Sequence, residues 1–330
     1  MKVTIQDIAN MVGVSKSTVS RYLNGGYVSG DNVNKIKEAI EKTGFETNFF
    51  AKRLKAKKSK LIGIIMPRID SFTAGKTLKG INNKLEEKGY QSIILTSELN
   101  KEKELSNIKK LYQQGVDGIV IMSFEISKEH VEIASKLPIP VVFSGQSSEY
   151  LNCIALDDFK IGEILGEYIR EQGHKNIVFL GVDERDKAVG VLRKKGFYSA
   201  FNDEECNINF VKTTFSFNRA YEAGDEVLEH NPTAVICATD NIALGLMRFL
   251  LERGIKIPND ISVAAFGGYD VSQITYPSLT TVKIDYSLFG EKTAEKILNL
   301  IDDKELEIDS NIPLELMTRE SVKKINKELL

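Results

Sequence analysis

The chain is poor in the side chains that carry most enzyme chemistry. Its 330 residues include 3 histidines and 3 cysteines. His130, His174 and His230 are scattered, each in or beside an expected helix, so none is paired for acid–base work. Cys153, Cys206 and Cys237 lack zinc-site spacing, and Cys153 and Cys237 fall in expected strands, where a cysteine is a small core residue. There is no Gly-x-Ser-x-Gly elbow and no glycine-rich dinucleotide fingerprint after a strand. The fragment Ala74–Thr77, AGKT, invites a phosphate-loop reading, but that motif needs glycine where Asp70 stands. No apolar run approaches about 20 residues, so no membrane span is expected. No signal peptide opens the chain, which points to a cytoplasmic protein with reduced thiols. Neither catalysis nor a metal or other cofactor is expected.

Charge is present in both signs but unevenly placed. The 44 Lys and Arg against 46 Asp and Glu leave a net charge of −2. Residues 1–60 carry 12 basic and 5 acidic side chains, so this end is +7 and the remainder −9. A basic head on an acidic body is the footprint of a nucleic-acid-binding module joined to something else. The densest cluster, Lys52, Arg53, Lys55, Lys57, Lys58 and Lys60, is by itself equally a solvated linker.

Thr4 to Asn24, TIQDIANMVGVSKSTVSRYLN, reads as two short helices joined at Gly13. Ile5, Ile8 and Ala9 share one helical face, and Val14, Val19 and Leu23 supply the facing apolar positions. Ala9 permits a close crossing, Gly13 can take the positive φ of a sharp turn, and Ser15 suits the N-cap of the second helix. That helix leaves Lys16, Ser17, Thr18, Ser20 and Arg21 exposed, short hydroxyls and cations able to reach base edges and phosphates in a major groove. An ordinary solvated helix face would not also need the turn, the cap and the core pattern to agree. A third helix is expected over about 30–43, with Val33, Ile36 and Ile40 on one face and Gly44 closing it. Glu46 to Lys60 then offers an N-cap in Asn48 and an isolated apolar residue, Leu54, among cations. Either Leu54 is a wedge for a minor-groove step on a hinge helix that folds on DNA, or it packs against the neighbouring domain.

From Leu61 onward, short apolar runs alternate with amphipathic stretches. LIGIIM, SIILTS, GIVIMS and PVVFS are expected strands, separated by helices near 75–88, 101–114 and 127–136. A second series follows through CIALD, NIVFLG, FVKTTF, AVICAT, SVAAFG and LTTVKI, with helices near 158–172, 190–203, 219–230, 240–253 and 287–302. Such alternation argues for parallel sheets with helices on both faces, and about 270 residues fit two lobes better than one. Ligands of open α/β lobes bind beyond the carboxyl ends of the strands, so a cleft between the lobes is the expected site. Arg68, Asp70, Ser71 and Phe72 follow the first strand and are placed to face it. Arg193 lies one turn into a helix, Phe215 ends a strand, and Asp240 starts a helix after AVICAT. An arginine and carboxylates beside aromatic faces suit a polyhydroxy ligand, although each residue alone is equally a surface ion pair or a core aromatic.

The runs VTIQDIANMVGVSKSTVSRYLNGGYVS and TNFFAKRLKAKKSKLIGIIMP, and the chain to its carboxyl end, resemble the LacI/GalR family of transcription regulators. The resemblance implies a small all-α helix-turn-helix headpiece and an α/β body of two Rossmann-like lobes, periplasmic-binding-protein-like. The implied borders are a headpiece over 1–46, a hinge helix and linker over 47–60, and a body over 61–330. One lobe would take about 61–150 plus 283–302, the other about 151–282 plus 303–330. The resemblance implies base reading by Lys16, Ser17 and Arg21, backbone contacts near Thr4, Ser15, Thr18 and Asn24, and minor-groove insertion by Leu54 supported by Asn48 and Ala51. It also places Arg193, Phe215 and Asp240 where members hold their effectors.

Three departures stand out. Thr47 replaces the proline that many members have before the hinge helix. In AFGGYD, Gly267 or Gly268 takes the place of a ligand-meeting aspartate and Asp270 is displaced, while Gly145 and Gln146 stand where many members carry an acid. Loss of both carboxylates argues against a purine or a simple monosaccharide bound in the family's usual way. The PRIDS loop and the VGVLRKKG stretch are similar to the disaccharide-operon repressors of the family, the sucrose and trehalose type, where an arginine at the position of Arg68 would meet a sugar phosphate. Expected partners are therefore a near-palindromic double-stranded DNA operator, a disaccharide or its phosphate, and a second copy in a homodimer. The alternatives are a corepressor-dependent regulator of the same fold and a cytosolic sugar-binding module without DNA binding.

Overall fold

A computed structural model describes residues 3–45, 58–201, 206–304, 306, 308 and 311–325. The chain divides into two compact units, residues 1–59 and 60–330. In the first, α1 (Ile5–Val12) opens with a reciprocal cap. The Asp7 amide donates to Thr4 Oγ1 at 3.3 Å, and the Thr4 amide donates to Asp7 Oδ2 at 2.8 Å. Gly13 ends α1 at φ 74°, the left-handed geometry the turn requires. Ser15 caps α2 (Lys16–Leu23) by accepting from the Thr18 amide. α3 (Gly30–Thr43) ends at Gly44 with φ 60°. The core is Ile8, Ala9, Val19, Ile36, Ala39 and Phe45, with Ile5, Val14, Leu23 and Ile40 packed against it. Ala39 of α3 and Phe45, just beyond its end, fill the core where Val33 was expected.

The second unit holds two sheets. In the first, β1 (Leu61–Met66), β2 (Gln91–Thr96), β3 (Gly118–Met122), β4 (Val141–Ser144) and β5 (Asn152–Ile154) pair in parallel in the order β2-β1-β3-β4-β5. β1 and β3 are buried along their whole length, which is why they read as continuous apolar runs rather than alternating ones. The connecting helices are α4 (Phe72–Glu87), α5 (Lys101–Gln113) and α6 (Lys128–Lys136). The second sheet has the order β11-β10-β9-β8-β6-β7, from β6 (Asn176–Gly181), β7 (Asn207–Lys212), β8 (Ala234–Cys237), β9 (Ser262–Gly267), β10 (Thr280–Ile284) and β11 (Leu314–Met317). Its helical segments are α7 (Asp158–Glu171), a π-helix (Lys187–Arg193) running into α8 (Lys194–Ser199), α9 (Phe217–Glu222), α10 (Gly224–Glu229) and α11 (Asp240–Glu252).

α12 (Tyr286–Ile301) follows β10 of the second sheet but packs along α4 of the first lobe. The crossing is backbone against backbone. A Cβ on Gly80 would lie 1.9 Å from the Ser287 carbonyl oxygen, and one on Gly290 2.0 Å from that of Thr77. The chain returns to close the second sheet with β11, antiparallel to β10.

Three sequence expectations differ from these elements. β11 has no counterpart in the expected strands. The strand expected at FVKTTF begins three residues earlier, at Asn207, because NINFVK pairs in register with β6, so Phe215 sits in the following loop rather than at the strand's end. The helix expected from 190 starts at Lys187 as a π-helix, where Gly190 passes so close to Asp183 that a Cβ would lie 2.3 Å from its carbonyl oxygen.

Candidate functional site

In the first unit, α2 presents Lys16, Ser17 and Arg21 to solvent, with Thr18 half-buried and Thr4, Ser15 and Asn24 exposed. Ser15 Oγ lies 2.7 Å from Ser17 Oγ and 2.8 Å from Thr18 Oγ1, so three hydroxyls cluster at a helix N-terminus that has no acidic side chain in its first turn. Backbone amides and hydroxyls gathered there suit a phosphate. Among the described residues, Lys16 and Arg21 have no ion pair, so their charge is unspent. Asn24 folds its amide back onto the Ser20 carbonyl at 2.8 Å and fixes the end of α2. Tyr27, just beyond, is 89% exposed, an apolar surface the sequence reading passed over. Asn48, Ala51 and Leu54 lie outside the described residues.

In the second unit, the chain turns to opposite sides of the sheet after the parallel neighbours β1 and β3, and after β6 and β8, and the loops beyond their carboxyl ends line a cavity of about 320 Å³. Arg68, Asp70, Ser71, Phe72, Gln146, Arg193 and Phe215 all line it. Ser71 also caps α4, so Phe72 is held at the helix's first turn. Arg68 Nε lies 3.1 Å from Asp70 Oδ1.

Arg193 is buried and its hydrogen-bonding groups are engaged. Nε and Nη2 donate to Asp158 Oδ1 at 2.9 and 2.5 Å, and Nη1 donates to the Ala238 carbonyl at 3.0 Å. Burial works against its charge, but the adjacent Asp158 carboxylate outweighs this and holds the guanidinium above its ordinary value. Burial likewise raises the Asp158 carboxyl, with Arg193 opposing. Arg193 therefore forms the floor of the cavity and braces α7 against β8.

Asp240 is corrected. It is fully buried and does not line the cavity. Oδ2 accepts from the Tyr269 amide and from Ser272 Oγ, both at 2.7 Å, and Oδ1 accepts from Thr281 Oγ1 at 2.5 Å. Its carboxylate ties down the loop after β9, and burial raises its pKa against those three donors. The next residue, Asn241, lines the cavity instead and donates to the Phe215 carbonyl at 2.7 Å, fixing that aromatic.

Sequence reading also missed Asp186, Tyr269 and Tyr286. Tyr269 follows the two glycines of AFGGYD, and its ring stacks on Phe72 with centroids 4.1 Å apart and planes at 27°. Asp186 caps the π-helix, accepting from the Val189 amide at 2.9 Å. The same oxygen accepts from Gln146 Nε2 at 3.0 Å, a bond between the lobes. Burial raises Asp186, against the Val189 and Gln146 donors. Like the Phe72–Tyr269 stack, other contacts cross between the lobes, among them Lys76 Nζ with Asp270 Oδ2 at 3.0 Å and Phe124 edge-on to Phe215. The displaced Asp270 thus serves as an interlobe ion-pair partner, and it is no part of the cavity lining.

A cavity between two parallel-sheet lobes, joined in one chain to a helix-turn-helix with unspent cations, defines a ligand-responsive DNA-binding protein. A family model described as "Bacterial regulatory proteins, lacI family" matches residues 4–48. Another, "Periplasmic binding proteins and sugar binding domain of LacI family", matches residues 59–320. The chain belongs to the LacI family, and is a DNA-binding transcriptional regulator rather than an enzyme. It is 34% identical over 305 residues to the sucrose operon repressor of Staphylococcus xylosus, covering 92% of this chain and 95% of that one. It is 30% identical over 334 residues to catabolite control protein A of Priestia megaterium, covering 98% and 100%. A lac repressor dimer bound to operator and the anti-inducer ONPF shares the fold with a TM-score of 0.89 at 24% identity, covering 98% and 100%. No helix among the described residues is long and apolar enough to cross a membrane.

Proposed function

We propose that the chain is a cytoplasmic repressor of a sugar-utilisation operon. It binds a near-palindromic operator as a homodimer and is released when a disaccharide or its phosphate enters the cleft. The observation that carries this reading is the cavity's make-up. Stacked aromatics (Phe72 on Tyr269) and Phe215 offer faces for C–H surfaces, while Arg68, Ser71, Gln146 and Asp186 offer donors and acceptors for hydroxyls. The sucrose operon repressor of Staphylococcus xylosus among its relatives supports the same class of ligand.

On the DNA side, Lys16, Ser17 and Arg21 read base edges, while Thr4, Ser15, Thr18 and Asn24 hold backbone. Asn48, Ala51 and Leu54 are assigned to the minor groove from the family pattern alone. One three-helix unit offers too little surface for tight specific binding, so two copies on two half-sites are required. Leu251, Ile274 and Tyr276, exposed by 63%, 81% and 92%, give the second lobe apolar surface that a second copy would cover. In the body, Arg68, Asp70, Ser71, Phe72, Gln146 and Phe215 meet the ligand, joined by Asn241 and Asp186. Arg193 supports the floor, and Asp240 acts only through the loop it anchors.

The test combines salt-dependent anisotropy on a site selected from random sequence with sedimentation of the complex. Steep loss of affinity with salt and two chains per site are expected. Salt-independent binding, or none, would leave only a sugar-binding module, and a tetramer would overturn the dimer.

A further inference from the structure

We infer that the cleft selects an uncharged polyhydroxy ligand over its phosphorylated form, and that Asp186 sets this preference. The inference rests on the sugar-effector reading and narrows it. Among the described residues, five charged side chains line the cavity: Arg68 and Arg193 against Asp70, Asp158 and Asp186. Each cation already faces a carboxylate. Arg193 is engaged by Asp158 and the Ala238 carbonyl, and Arg68 faces Asp70 at 3.1 Å.

Helix N-termini are the other ready anion sites in such folds. In the second lobe three of them carry an acid. α7 is capped by Asp157 and begins with Asp158, the π-helix is capped by Asp186, and α11 begins with Asp240. A phosphate brought to the start of α7 or of the π-helix would meet the carboxylate of Asp158 or Asp186, and like charges repel.

Asp186 is also built to receive a hydroxyl. It is 5% exposed, and Oδ1 carries both of its protein bonds, from Val189 and Gln146. Oδ2 has no protein partner among the described residues. A sugar hydroxyl can donate to that oxygen, and a fully ionised phosphate oxygen cannot. The replacement of an acid by Gln146 on the opposite lobe fits this assignment, because a carboxylate there would face Asp186 without a proton to share. The cleft's hydroxyl-accepting acid has moved from the first lobe to the second.

The test is calorimetry on the full chain with sucrose, trehalose and the 6-phosphate of each. The expected result is that the sugar that binds does so at least about tenfold more tightly than its own phosphate, the lower range for a hydrogen bond to a charged group. Asp186→Asn keeps an oxygen for Val189 and Gln146 but turns Oδ2 into a donor. It is expected to narrow the ratio to within about threefold, weakening the sugar and strengthening the phosphate. Asp70→Asn, on an exposed side chain, is expected to raise phosphate affinity by about threefold relative to the sugar. Preference for the phosphate in the unaltered chain overturns the inference and leaves the sugar-effector reading standing. A ratio unmoved by Asp186→Asn overturns the role of Asp186; should that variant not fold, an unmoved ratio in Asp70→Asn overturns the charge argument. Binding of neither form of either sugar rejects the sugar-effector reading as well.

Discussion

Gln146 Nε2 donates to Asp186 Oδ1 across the cleft, 3.0 Å away, and also to the Phe124 carbonyl at 3.1 Å. One amide therefore links the loop after β4, its neighbour after β3, and the cap of the π-helix on the opposite lobe. Gln146→Glu would lose both donated bonds and set a carboxylate against a carboxylate. The lobes should then separate more readily, at a cost of about 1.5–3 kcal/mol for a bond to a charged group. Small-angle scattering of the unliganded protein should show a larger radius of gyration, and an unchanged curve would mean the bond does not hold the lobes.

Arg193→Ala should behave as a stability mutation before it behaves as a ligand mutation. It would strand Asp158, which is 3% exposed, with no cation beside it. Removing one partner of a buried pair costs about 3–5 kcal/mol. Urea denaturation should show that loss, and adding Asp158→Asn should recover part of it. A stable Arg193→Ala protein that has lost only its ligand would return Arg193 to direct contact.

The α4–α12 crossing depends on two absent side chains. Gly80→Ala or Gly290→Ala would drive a methyl into a carbonyl oxygen and should destabilise by about 1–3 kcal/mol or more. Gly75, on the same helix with open space around its Cα, is the control: Gly75→Ala should stabilise by about 0.5–1 kcal/mol. Equal effects at Gly75 and Gly80 would show that the close approach is unimportant.

His174 gives the body an acid-side weakness. Its ring lies 3.0 Å from Thr233 Oγ1 and 3.1 Å from the Lys323 carbonyl, and burial lowers its pKa to about 4 from 6.5. The unfolded chain binds this proton below pH 6.5 while the folded chain refuses it until about pH 4. Stability from this group is therefore complete above pH 6.5 and falls as pH drops through that window, by about 3 kcal/mol in all. His174→Gln should flatten the difference between denaturation midpoints at pH 7.5 and pH 5, and an equal slope in both proteins would remove His174 as its source.

Arg21→Ala should cost about 1–3 kcal/mol on the preferred operator and less on mismatched sites, relaxing specificity. Uniform weakening on every sequence would make Arg21 a backbone contact instead.

The parts of this architecture that rest on neighbours in sequence were legible. Gly13, Ser15 and the apolar positions of α1 and α2 are local rules, and continuous runs such as LIGIIM announce buried parallel strands. Asp240 misled because an acid at a helix start looks the same whether it meets a ligand or a loop. Thr281, 41 residues further on, decides the matter. Asp186 was overlooked among four charges in DERD, and only Gln146, on another lobe, marks it as buried. β11 is a short strand with one exposed and three half-buried residues, a pattern too weak to see without β10 beside it.

The central claim is that a ligand in this cleft controls the grip on DNA. Its most direct test is operator affinity of the full chain by fluorescence anisotropy, with and without sucrose or trehalose at saturation. One of them should weaken operator binding by about tenfold or more, a typical coupling between sites. Tight binding that no sugar or sugar phosphate moves would contradict it.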